Sequence, residues 1–125
     1  MNYQEFLIGP QLIGVLFIII GGLQRYLPPK KINRWYGYRT QNARIDQQTW
    51  DEGNRYSGIY MMRLGLVVLV IGFILNALAI LYVTDFDKQQ LIRYLILFGG
   101  AIGIGILSTM ATEKHLAQKF REVVL

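Results

Sequence analysis

The sequence predicts an all-α integral membrane protein with three transmembrane helices, and three observations carry that reading. Three long stretches hold no charged residue: Phe6 to Leu23, Leu64 to Thr84 and Tyr94 to Thr112. Each matches the roughly 20 helical residues that cross a hydrocarbon core. Charged residues make up only 17% of the 125-residue chain, against about 25% in soluble domains. Finally, none of the three runs shows the polar face at helical period that a helix on a soluble core displays.

By length this is one domain. It divides into a first span at about residues 6–26, a charged motif at 27–58, a second span at about 59–84, a third at about 91–112 and a tail at 113–125. The first run reads as an anchor rather than a cleaved signal. Met1 to Glu5 carries no Lys or Arg, and Gly21 to Arg25 offers no small-residue cleavage pattern. Pro10 marks its N1 position or a kink, and Pro28-Pro29 ends it, because proline lacks an N–H and clashes with the preceding turn. Tyr26 is placed as an interfacial aromatic.

Asp46 is the expected N-cap of the next helix, since its carboxylate can accept a free N–H of the first turn. That helix starts at the interface near Gln47 and runs into the second span, as no proline or turn cluster intervenes. Along it Gly58, Gly65, Gly72 and Ala79 recur every seven residues, with Asn76 on the same stripe. Small residues on one seam let backbones approach closely in lipid, where no hydrophobic force drives helices together. The third span carries Gly99 and Gly103, and also Ala101, Gly105 and Thr109. The second and third spans are therefore expected to form a tight antiparallel hairpin across Asp85 to Gln90, with these small residues in contact. The tail, with Leu116, Phe120, Val123 and Val124 among charged residues, continues the third helix as an amphipathic extension.

Lys and Arg counts set the expected orientation. Arg25, Lys30, Lys31, Arg34, Arg39, Arg44, Arg55 and Arg63 fall between the first two spans; Lys88 and Arg93 lie between the second and third; Lys114, Lys119 and Arg121 lie in the tail. The expected topology in the cytoplasmic (inner) membrane is N-terminus outside, motif and C-terminus cytoplasmic. The net charge of +5 then needs no nucleic-acid partner, because basic residues beside a bilayer are both the topology signal and an attraction to anionic head groups.

Enzyme signatures are missing from the sequence. With no Cys, disulfides, thiolate sites and a Cys nucleophile are excluded. A single His is a poor start for a metal site, and His115 reads as a solvated tail residue. Asp51 and Glu52 diverge by about 100° on a helix and cannot face one another; they read as ion-pair partners of Arg39, Arg44 or Arg55. There is no phosphate loop, nucleophile elbow or dinucleotide fingerprint, so no catalytic residue, cofactor or metal is expected. Asn76 reads as a structural hydrogen-bonding residue, and with no acidic or basic residue inside any span an ion-coupled carrier is disfavoured.

What remains is the motif "NRWYGYRTQNARIDQQTWDEGNRYSG", Asn33 to Gly58. One reading is an aromatic belt at the head groups, with Trp35, Tyr36 and Tyr38. The other is a folded cap on the cytoplasmic mouth of the bundle. There Arg39 pairs with an acid of the following helix, and Trp50 packs on a Trp35/Tyr38 cluster. The motif resembles the signature of the SdpI family of small bacterial membrane proteins. Its matching positions are Gly37, Tyr38, Arg39, Thr40, Thr49, Trp50, Asn54 and Gly58, with Pro28, Lys31 and Asn33 ahead of them. Gln41, Asn42 and Ala43 depart from the usual Pro-Arg-Ser, and Gly53 stands where Ala is usual.

The resemblance implies a non-enzymatic immunity protein that shields its cell from a secreted, membrane-active peptide toxin. It also implies capture of a transcriptional repressor at the membrane. The family's namesake carries extra helices ahead of this unit. Candidate motif or binding residues are Trp35, Gly37, Tyr38, Arg39, Thr40, Trp50 and Asn54; the packing seam is Gly58, Gly65, Gly72, Asn76, Ala79, Gly99 and Gly103. The lipid bilayer, a peptide toxin, a cytosolic regulator and a second copy of the chain are the expected partners. Two alternatives come from other classes: a small oligomeric channel or lipid-handling protein, and a membrane signalling subunit that binds a cytosolic regulator.

Overall fold

The computed structural model describes residues 3–120 and 123. It contains four helices: α1 (Tyr3–Leu7), α2 (Leu12–Tyr26), α3 (Gln47–Tyr82) and α4 (Phe86–Lys119). Two of them, α3 and α4, are long and apolar enough to cross a membrane. Only 22% of the most apolar stretch of α3 and 11% of that of α4 is buried. A core helix of a soluble protein hides such a surface; these two leave it bare, as lipid-facing helices do.

The expected first span is broken. α1 ends at Leu7 and α2 begins at Leu12, with Pro10 between them. The chain turns there through short-range bonds from Leu12 N to Gly9 O at 3.1 Å, Ile13 N to Pro10 O at 3.2 Å and Gly14 N to Gln11 O at 2.9 Å. Proline cannot sit in a continuous helix ladder without losing a bond and clashing with the preceding turn. Buried Gln11 reaches back, its Nε2 donating to Phe6 O at 2.9 Å and Leu7 O at 3.3 Å, and so satisfies carbonyls that a helix end leaves open. The 15 residues of α2 span only about 22 Å, short of the roughly 30 Å hydrocarbon core.

Asp46 caps α3 as expected, and reciprocally: Thr49 N donates to Asp46 Oδ1 at 2.8 Å and Asp46 N to Thr49 Oγ1 at 3.1 Å. The interfacial helix is not a separate element, because Gln47 to Tyr82 is one helix. Its 36 residues reach about 54 Å, so several turns before Leu64 stand beyond the charge-free stretch. The connection to α4 is shorter than expected, since Asp85 accepts from Asp87 N at 2.9 Å and starts α4 at Phe86. The tail continues α4 through Lys119, as expected. Leu116 and Val123 are buried with Ala43, and Phe120 packs on them; Arg121 and Val124 lie outside the described residues.

The small-residue seam packs against a different partner from the one expected. Gly58, Gly65, Gly72, Asn76 and Ala79 are all buried on one stripe of α3, but Gly58 and Gly65 face α2. A Cβ on Gly21 would stand 2.5 Å from Gly58 O, and one on Gly65 would stand 2.6 Å from Gly14 O. Gly14 and Gly21 are seven apart, the spacing of Gly58 and Gly65, so the two seams pair in register. Gly72 accommodates Gln11, with Ile96 of α4 on its other side. By contrast, Gly99, Gly103 and Gly105 of α4 meet nothing within 4 Å; Gly100 takes up the contact instead, against Val68 and Ile13. The spacing of four in α4 does not match the heptad of α3, so α4 docks through larger side chains.

This packing separates two glycines of α2. Gly21→Ala places a methyl group against the backbone of α3 and is expected to lower the thermal midpoint in detergent clearly. Gly22→Ala, which meets nothing within 4 Å, should be neutral or stabilising by up to about 1 kcal/mol through helix propensity. Equal melting of the two variants would contradict the seam.

Candidate functional site: a polar cap at one end of the bundle

The segment between α2 and α3 folds back over the ends of α3 and α4. Asn33 begins it with an Asx turn, its Oδ1 accepting from Trp35 N at 2.9 Å and Tyr36 N at 2.8 Å. Gly37 follows with φ of 98°, in the left-handed region that glycine occupies without strain. It is also crowded, because a Cβ there would lie 2.6 Å from Pro29 Cγ and against Asn54 Oδ1. Glycine is needed here on both counts.

Behind Gly37, fully buried Asn54 serves both backbone groups of Tyr38. Its Oδ1 accepts from Tyr38 N at 2.6 Å, and its Nδ2 donates to Tyr38 O at 3.3 Å and to Trp50 O at 2.9 Å. Trp50, also fully buried, donates its indole N–H to Pro29 O at 2.7 Å. The Pro28-Pro29 exit and the motif are thus pinned to the first turns of α3.

The other half of the cap closes on a residue that sequence reasoning missed. The Glu113 carboxylate on α4 accepts from the Tyr38 hydroxyl, from Thr40 Oγ1 and from Asn42 Nδ2, each at 2.5 Å. Thr40 Oγ1 also accepts from Ala43 N at 3.2 Å. Gly53 admits the Tyr38 ring and Ala43 beneath it; a Cβ there would stand 3.2 Å from Tyr38 Cδ1. The departures noted at positions 42, 43 and 53 are therefore integrated, with Asn42 bonding the carboxylate and Ala43 filling the core. The one available signal for Glu113 was its place as the first charge after the third apolar run.

A second carboxylate stands nearby on α3. Glu52 bonds Arg55 through both oxygens, lies 2.8 Å from His115 Nε2 and 3.4 Å from Lys119 Nζ. An ionised carboxylate only accepts, so Nε2 carries the hydrogen of that bond. The imidazole stacks on Tyr56, with centroids 4.0 Å apart and planes 6° apart. His115 is therefore a bridge between α3 and α4 rather than a solvated tail residue. Arg55 is the partner chosen from the expected set, while Asp51 instead accepts from Gln47 at 2.8 Å. A further buried link, Gln24 Nε2 to Ser57 Oγ at 2.5 Å, joins α2 to α3.

Two motif residues sit elsewhere than expected. Arg39 is exposed and donates to Arg34 O of its own loop; the ion pairs among the described residues converge on Glu52. Trp35 is 89% exposed, so it forms no cluster with Trp50. Backbone turn chemistry orients both outward, since the Asn33 turn and the Gly37 reversal leave only Tyr38 aimed at the bundle.

Electrostatically, the cap holds two carboxylates ionised. The Arg55 hydrogen bond is the main reason Glu52 is held down to about 2; burial opposes it, and His115 and Lys119 add to it. For Glu113 burial is the largest influence and pushes upward, but the bonds from Thr40, Tyr38 and Asn42 together outweigh it and hold the carboxyl below its ordinary value. Burial, with the Glu113 carboxylate beside it, drives the Tyr38 phenol well above its usual range. No three His, Cys, Asp or Glu side chains gather as metal ligands among the described residues. Both carboxylates of the cap are engaged by donors, and through them the loop, α3 and α4 are held together.

Fold and site together define a small helical protein with two membrane-length helices, braced by a polar cap built from the loop ahead of them. The chain belongs to the SdpI/YfhL protein family, which its residues 30–112 match. It is similar to Uncharacterized protein YfhL of Bacillus subtilis (strain 168), 39% identical over 103 residues, covering 82% of this chain and 81% of that protein. No solved structure shows a significant match.

The carboxylates make the cap acid-labile in a defined direction. Glu52 and Glu113 bind protons less readily folded than unfolded, so their contribution is present above the ordinary carboxyl value of 4.5 and is lost as pH falls toward the folded value of about 2 for Glu52. The thermal midpoint in detergent should fall steeply between about pH 4.5 and about pH 2, to be measured by near-UV circular dichroism; Glu52→Gln should be less stable at pH 7 with a flatter acid limb. An unchanged acid limb in Glu52→Gln would contradict this assignment.

Proposed function

We infer that this is a non-enzymatic, multi-pass protein of the cytoplasmic membrane that protects its cell against a membrane-active peptide. The family supports a membrane role, and the resemblance of the motif supports immunity. The observation that carries the reading is the bare glycine face of α4. The two carboxylates of the cap are engaged by donors, and the α2–α3 seam is filled, yet Gly99 and Gly103 are open. Ile102 and Ile106, both more than half exposed, stand beside them. In lipid, small residues four apart are what a second helix needs for close approach. A peptide that inserts as a helix can be sequestered on this face.

In this reading α1 and α2 together make the first crossing, with the turn at Pro10 inside it, and α3 and α4 make the second and third. The basic residues of the cap support a cytoplasmic position for it, with the N-terminus outside. A regulator-binding role has its own support in the outward Trp35 and Arg39, which the cap does not use.

The test is survival of a sensitive bacterium challenged with a secreted, membrane-active peptide toxin. Cells with the wild-type chain are expected to survive. Gly99→Leu with Gly103→Leu should lose most protection at equal membrane levels, since neither site touches the rest of the protein. Full protection by that variant overturns the α4 face as the working surface; Trp35→Ala with Arg39→Ala should leave survival intact, and its failure would favour the regulator reading.

A further inference from the structure

At the cap end, α3 and α4 enclose a cleft of about 370 Å³ lined by Tyr56, Tyr60, Ala111, Lys114, His115 and Gln118. That size falls among small-molecule sites, about 300 to 1,000 Å³. Its lining contains no carboxylate, while two phenols, an ammonium and an amide bring hydrogen-bond donors. The aromatic side of the cleft is fixed in place. Glu52 holds the imidazole from the far side at 2.8 Å, Tyr56 stacks on it, and Tyr60 stacks on Tyr56 at 6.0 Å. Lys114 is exposed and makes no ion pair among the described residues.

The cleft also lies at a telling level. Tyr60 precedes the charge-free run of α3, which begins at Leu64, and Ala111 adjoins Thr112, where that of α4 ends. Farther along the same α3–α4 furrow, Val67, Ile71, Leu75, Leu95, Ile96 and Gly100 line a second cleft of about 180 Å³. At about 100° per residue, Tyr60, Arg63, Val67 and Ile71 share one face of α3, and Tyr60 to Ile71 covers about 16 Å. A donor-rich, net basic pocket at the edge of the apolar zone thus leads into an aliphatic trough inside it.

We propose that this furrow binds an anionic phospholipid. The phosphate is held by Lys114, Tyr60 and Gln118, and one acyl chain lies along Val67 and Ile71. This rests on the membrane placement of α3 and α4 and is independent of peptide immunity. The shared chemistry with free phosphate is the tetrahedral anion, and the trough favours the lipid.

Native mass spectrometry of the full chain in mild detergent, after exposure to phosphatidylglycerol or phosphatidylcholine, tests it. Wild type should retain phosphatidylglycerol at least fivefold over phosphatidylcholine. Lys114→Ala with Tyr60→Phe should lower that retention at least fivefold, Lys114→Arg should restore most of it, and Lys31→Ala in the loop should leave it unchanged. Millimolar inorganic phosphate should not displace the lipid. Equal retention of both lipids, equal retention by wild type and the double variant, or displacement by inorganic phosphate overturns the proposal; thermal midpoints near wild type confirm that the variants are folded.

Discussion

Glu113 brings one negative charge to the point where α4 passes the loop between α2 and α3, and three donors of that loop converge on it. Charge-assisted hydrogen bonds are about twice as strong as neutral ones, and here they act across more than seventy residues of sequence. Without them the loop is tied to α3, through Asn54, Trp50 and Gln47, but not to α4 through this carboxylate. With them, Tyr38 is seated, Gly53 and Ala43 fit beneath its ring, and Leu116 of α4 is sealed into the same core. A carboxylate left without its donors, or donors left without the carboxylate, costs about 1–3 kcal/mol per buried group.

This arrangement solves a problem of helix association in lipid. Apolar flanks gain nothing by leaving acyl chains for one another, so membrane-length helices need either close backbone packing or polar links to associate. The chain uses the first between α2 and α3, where paired glycines bring carbonyls against the facing backbone. It uses the second between α3 and α4, where the links sit outside the apolar zone: Glu113 with the loop, Glu52 with His115 and Lys119. Because those links lie at the end of α4, its membrane length stays uncommitted, and Gly99 and Gly103 remain open.

The sequence revealed the fold largely through its charges and prolines. The continuous α3, the Asp46 cap and the α4 extension were readable because each rests on local chemistry: an acceptor ahead of a helical run, and no breaker within it. Gly37, Tyr38, Thr40, Trp50 and Asn54 were legible as a motif, and the structure brings all five into one cap. Partner choice was not legible. The heptad of Gly58, Gly65 and Gly72 says that something approaches closely; only the matching pair Gly14 and Gly21 says what, and Pro10 hid that pair inside a run read as one helix. Likewise, an Arg and a Trp in a charged motif suggested an ion pair and an aromatic cluster. The Asn33 turn and the positive φ of Gly37 instead point Arg39 and Trp35 outward. Glu113 and His115 escaped because their partners are distant in sequence, and a lone acid or His after an apolar run resembles any solvated tail residue.

The claim on which the account turns is that Glu113 fastens the loop to α4. Hydrogen–deuterium exchange of the purified protein in detergent, read over residues 37–46 for wild type and Glu113→Gln, addresses it directly. Exchange in that segment should be at least tenfold faster for Glu113→Gln, with the apolar parts of α3 and α4 as protected as in wild type. Unchanged protection of residues 37–46 would show that the loop is held by its own turns and by Asn54, and that the carboxylate is a bystander.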